Sequence, residues 1–175
     1  MPRLKVLYVD DHIPDDNIPD ARDEIRQTLR KRHPKWSDEG IEEWTTIYYC
    51  ARQVKNTLGE SYDVTTENEH QKAMKLAEDS HFDVAIVDVG WFNDEKRKQR
   101  PNFDNAGWEI CDKIEETDQK LHCRPTLQIA YSQRFVEKPH LERFSGGCDP
   151  IATMAKPTKN IVQGDRCEGF SQRIE

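Results

Sequence analysis

Five side chains, far apart in this sequence, could together handle a phosphate group and a metal ion: Asp10, Asp11, Asp88, Ser132 and Lys156. Three carboxylates brought close repel one another, and a divalent cation relieves that repulsion. Hard oxygen ligands with open positions suit Mg²⁺, which also takes phosphate oxygens. A carboxylate can attack phosphorus and form an acyl phosphate. A metal, a lysine ammonium and a hydroxyl would then neutralise and orient the phosphoryl oxygens. Carboxylates beside a cation stay ionised.

Each of these residues stands at the end of an apolar run. Leu4 to Val9 is short and β-rich and stops at Asp10-Asp11. Phe82 to Val87 stops at Asp88, Thr126 to Tyr131 stops at Ser132, and the weaker run Ile151 to Ala155 stops at Lys156-Pro157. A further short run surrounds Tyr62 to Thr65. Runs apolar on both faces are what a parallel sheet needs. In open α/β sheets ligands bind beyond the carboxyl ends of the strands.

Helical patterns lie between the runs. Ala21 to Lys31 carries Ile25 and Leu29 at i,i+4 spacing. Asp38 to Leu58 carries an apolar stripe of Ile41, Trp44, Tyr48, Ala51, Val54 and Leu58. Ser37 is placed to cap its start, and Gly59 stands where a helix could stop. Thr66 and Glu69 fit a capping box ahead of Ala73, Leu76 and Ala77. Gly107, Ile110, Cys111 and Ile114 share a face of the next helix. Leu141 with Phe144, and Cys167 with Phe170 and Ile174, mark two more. Strands alternating with helices imply βαβ units with right-handed crossovers.

Together the segments LYVDD, FDVAIVDVG, NAGWEICDKI, IAYSQ and MAKP resemble the response-regulator receiver domain of two-component signalling. The resemblance spans nearly the whole chain as a single domain. It implies a flavodoxin-like, doubly wound, five-stranded parallel sheet of order 2-1-3-4-5 with helices on both faces, an order this family itself exemplifies. It further implies Asp88 as phosphoacceptor, Asp10 and Asp11 as the acidic pair that holds Mg²⁺, and Gly90 as donor of a backbone carbonyl to that metal. Lys156 would pair with the phosphoryl group and Ser132 would be the switch hydroxyl. Counting from Pro125 puts Ala130 at the hydroxyl position instead; the Tyr-Ser pair and the spacing to Lys156 favour Ser132. Three residues before Lys156, where the family often has an aromatic switch, this chain has Thr153, and Tyr131 is the alternative participant. The implied partners are a histidine kinase or histidine phosphotransfer protein and a downstream effector domain or protein.

Two segments exceed the length of ordinary connections. The region about 34–60 is an inserted or extended helical segment whose aromatics Trp44, Tyr48 and Tyr49 would serve as extra core or as a dimer or partner surface. The polar loop about 91–105 holds Lys96, Arg97, Lys98 and Arg100, a solvated charge run or an attractor of anions. His12, which with Asp15 and Asp16 could suggest a different metal site, reads rather as a solvated loop histidine. The last helical pattern breaks off at Glu175, as in a truncated chain that has lost an effector domain.

Composition bounds the alternatives. The 175 residues have a formal net charge of -7, which argues against nucleic-acid binding by the whole domain. No apolar run approaches the roughly 18 residues of a spanning helix, so no membrane role is expected. The five cysteines form no CxxC pair, which points to reduced thiols in a cytoplasmic protein and gives no motif for a zinc site. The leading reading is a phosphoryl-accepting signalling module, not an enzyme acting on other substrates. A second is a receiver-like interaction module that works without phosphorylation. A metal-dependent phosphohydrolase is the weakest, because Gly90 and not a second acid lies two residues beyond Asp88.

Overall fold

A computed structural model of the chain describes residues 2–14, 17–90, 106–132 and 151–155, with side chains as far as Ala130. The chain divides into two compact units, one from Met1–Asp11 and Tyr62–Lys156, the other from His12–Ser61 and Pro157–Glu175.

The first unit is α/β. Its strands are β1 (Lys5–Val9), β2 (Asp63–Glu67), β3 (Val84–Asp88), β4 (Leu127–Ser132) and β5 (Ile151–Ala155). Its described helices are α3 (His70–Asp79) and α4 (Ala106–Leu121). All strand pairings are parallel: β1 lies between β2 and β3, β4 follows β3, and β5 pairs with β4. Strand β3 is buried along its whole length, which accounts for its unbroken run of apolar residues. Side chains alternate faces. Leu7, Val9, Ala85, Val87 and Ala130 join Ala73 and Ala77 of α3 and Ile110, Cys111 and Ile114 of α4 in one core. Small residues on α3 let α4 approach closely, and Trp108 with Phe82 fills the remaining space.

The second unit contains α1 (Arg22–Arg32) and α2 (Asp38–Ser61). Helix α1 carries Asp23 and Glu24 in its first turn and Arg30, Lys31 and Arg32 in its last, signs that complement the helix dipole. Ser37 Oγ accepts the Gly40 N–H at 3.1 Å, as a cap should. Of the expected stripe, Ile41, Ala51, Val54 and Leu58 are buried and Trp44 and Tyr48 half-buried; Ile18, Ile25, Leu29 and Ile41 form a core against which Trp44, Tyr48 and Tyr49 pack. Arg52 is buried, its guanidinium donating to Ile18 O at 2.8 Å and pairing with Asp20 at 3.0 Å.

Three local expectations are corrected. Helix α2 does not stop at Gly59 but runs to Ser61, where the Asp63 N–H donates to Leu4 O and begins β2. Thr66 caps nothing, because β2 extends through it to Glu67, which is paired with Val9; α3 starts at His70 without a side-chain cap. Instead, Glu67 Oε1 accepts the N–H groups of Asn68 and Glu69, both at 2.9 Å. His12 is not solvated: it is 9% exposed, with its ring 5.4 Å from that of Trp44. The helical patterns at 141–144 and 167–174, and the basic loop 91–105, lie outside the described residues.

Candidate functional site

The register of the central strands builds the acidic site. Val9 pairs with Val87, so the next residues, Asp10 and Asp88, leave adjacent strands at the same level. Parallel strands lie about 4.8 Å apart, which brings the two carboxylates within reach of one ion. Asp11 follows in the turn. Carboxylate oxygens of Asp10, Asp11 and Asp88 lie within 4.8 Å of one another.

Two of the three are deeply buried, Asp10 at 1% exposure and Asp88 at 2%. Buried carboxylates need hydrogen bonds or a counter-charge. The Tyr8 hydroxyl donates to Asp10 Oδ2 at 3.2 Å, and the Gly90 N–H donates to Asp88 Oδ1 at 2.9 Å. The Asp10 N–H donates to Glu67 O at 3.2 Å, which ties the turn after β1 to the end of β2. A hard cation fits this donor set. With Mg–O distances of about 2.1 Å, ligand oxygens in an octahedral shell stand about 2.9–4.2 Å apart, which a cluster of this span can meet with small side-chain movements.

Gly107 fixes the floor of the site. A Cβ added there would stand 2.1 Å from Asp88 O and 2.5 Å from Val89 Cα. Helix α4 therefore rests its first turn directly on the backbone that carries Asp88, and only glycine permits that approach. The sequence placed Gly107 on the helix face but gave no sign of its contact with Asp88. Tyr8 and Glu67 were also missed as site residues. Tyr8 could have been found, since residues i and i+2 of a strand share a face, whereas Glu67 reaches the site only through the β1–β2 pairing.

Gly90 is present as a backbone N–H donor to Asp88. Ser132 ends β4 in register with Ala155, one residue beyond Tyr131, which pairs with Asp88. Ala130 pairs with Val87, one residue short of that level, and is buried in the core. Thr153 pairs with Ala130 in β5. Lys156 lies outside the described residues.

The comparisons with known proteins add no identity: no family model matches the chain, and no curated protein matches it. Among the described residues no helix is long and apolar enough to cross a membrane.

Proposed function

We propose that this chain is a response-regulator receiver domain that accepts a phosphoryl group on Asp88 from a histidine kinase or histidine phosphotransfer partner in a Mg²⁺-dependent reaction. The proposal includes the flavodoxin-like, doubly wound form of the five-stranded sheet, order 2-1-3-4-5, with helices on both faces. The observation that carries it is the convergence of Asp10, Asp11 and Asp88 at the carboxyl ends of β1 and β3.

The chemistry follows from the contacts. The Gly90 N–H donates to Asp88 Oδ1 and helps to orient the carboxylate. A carboxylate oxygen of Asp88 forms a bond to phosphorus while the bond from phosphorus to the donor's leaving atom breaks. Bound at the three carboxylates, Mg²⁺ would supply charge neutralisation for the transferring oxygens. Asp10, held by Tyr8, and Asp11 keep that position defined. Lys156 would pair with the phosphoryl group, and Ser132 would move toward it, shifting an equilibrium of the interaction surface read by an effector. This role needs no reaction on any other substrate.

Incubation with a small-molecule phosphodonor and Mg²⁺, read by intact mass, tests the reading. A single labile phosphate adduct, absent in Asp88→Asn, is expected. No adduct would point to an interaction module that works without phosphorylation, and sustained turnover of phosphate esters to a hydrolase.

A further inference from the structure

The other end of the same sheet holds a second ligand set, unrelated in chemistry to the first. His81 lies just ahead of β3, Asp118 is in the last turns of α4, and Cys123 is in the connection to β4. We propose that these three side chains bind a thiophilic divalent transition metal, with Zn²⁺ the best match.

The geometry carries the proposal. His81 Nε2 stands 3.7 Å from Asp118 Oδ1, and Cys123 Sγ stands 3.6 Å from the same oxygen. One atom from each residue lies within 4.8 Å of the other two. Zn–N and Zn–O bonds near 2.1 Å and a Zn–S bond near 2.3 Å, at tetrahedral angles, give N···O of about 3.4 Å and S···O of about 3.6 Å. The observed separations from Asp118 Oδ1 are within a few tenths of an ångström of these values, and binding requires His81 Nε2 to turn from Arg124 O, 2.8 Å away, toward the ion.

The central ligand is already oriented. Asp118 is 6% exposed, and its carboxylate accepts the Thr126 N–H at 2.6 Å on Oδ2 and the Thr126 hydroxyl at 3.1 Å on Oδ1. Fixed outer hydrogen bonds of this kind hold metal ligands in place. The thiol is brought back by the backbone. His122 has φ 51, the left-handed conformation that ends a helix, and the Cys123 N–H returns to Asp118 O at 3.3 Å. His81 is 30% exposed, so an ion can enter from solvent. Three protein ligands leave the fourth tetrahedral position for water.

Binding has a defined proton balance. The Cys123 thiol proton goes to solvent as the sulfur bonds the metal. The imidazole proton that Nε2 shares with Arg124 O at 2.8 Å moves to Nδ1. A thiolate and an imidazole select against Mg²⁺, so this site and the three carboxylates would hold different ions.

Co²⁺ serves as a spectroscopic probe of the full chain, with Cys148 and Cys167 replaced by serine to silence the two thiols outside the described residues. One equivalent should give a thiolate-to-cobalt charge-transfer band with tetrahedral d–d absorption, which Zn²⁺ abolishes and a large excess of Mg²⁺ leaves intact. Cys123→Ser should remove the charge-transfer band and weaken Zn²⁺ binding at least tenfold. His81→Gln, whose amide can still donate to Arg124 O, should weaken it comparably. Circular dichroism melts in chelator read folding of both variants separately from binding, and either variant alone suffices. Absence of the band in the parent chain, or a band and affinity unchanged by both substitutions, would overturn the assignment.

Discussion

The two ends of the parallel sheet solve opposite electrostatic problems. At the carboxyl end, Asp10, Asp11 and Asp88 bring three like charges together, two of them almost wholly buried. At the amino end a single carboxylate, Asp118, is saturated by hydrogen bonds from Thr126 and flanked by a neutral thiol and an imidazole. Burial and the Asp118 charge push the Cys123 thiol up from its ordinary range, so without a metal it stays protonated at neutral pH. The first end gathers three carboxylates that a cation would neutralise; the second ties α4 to the start of β4 through Asp118 and Thr126.

The largest effect expected from this contrast is on stability. Asp118→Ala removes the acceptor of the Thr126 N–H and leaves that buried N–H unpaired, while the Thr126 hydroxyl keeps Phe82 O, costing about 3 kcal/mol. Asp88→Asn removes one of three like charges, so in chelator its melting temperature should equal or exceed that of the parent. Chemical denaturation of both variants checks the pair; equal losses would erase the distinction.

Next in size is ligand stabilisation. Mg²⁺ at a hundred times its dissociation constant should stabilise the parent by about 2.7 kcal/mol, and Asp88→Asn should lose most of that gain. Melting curves with and without Mg²⁺ read it, and a gain that persists in the variant would place the ion elsewhere. Gly107→Ala forces a methyl against Asp88 O and Val89 Cα, for a cost of about 2 kcal/mol. Because the displaced backbone carries Asp88, phosphorylation should slow as well; a destabilised variant with the parent's phosphorylation rate would show that α4 does not position the acid. Tyr8→Phe deletes the bond to Asp10 Oδ2, for about 1 kcal/mol by urea titration, and should also weaken Mg²⁺ binding.

Much of the carboxyl end was legible because the signal was local. Runs such as Leu4 to Val9 and Phe82 to Val87 read as buried strands, and each stops at a carboxylate. What the runs could not show is register, and register ties Glu67 to the turn that carries Asp10. Register also overrode the Thr66–Glu69 capping pattern, since pairing with β1 keeps Thr66 and Glu67 in the strand. His12 looked solvated beside acids and a proline, and the indole of Trp44, distant in sequence, covers it. The amino end was invisible for a related reason. His81, Asp118 and Cys123 follow no motif spacing, and only the packing of α4 on the sheet brings them together.

The central claim is that Asp88 is the acid that takes up phosphorus. Borohydride reduction of the chain after treatment with a phosphodonor and Mg²⁺ converts an acyl phosphate to an alcohol, and peptide mass spectrometry locates it. The account predicts homoserine at position 88 and at no other carboxylate, lost when Mg²⁺ is withheld. Homoserine at position 10 or 11, or an unmodified chain under conditions that label a known receiver domain, would contradict it.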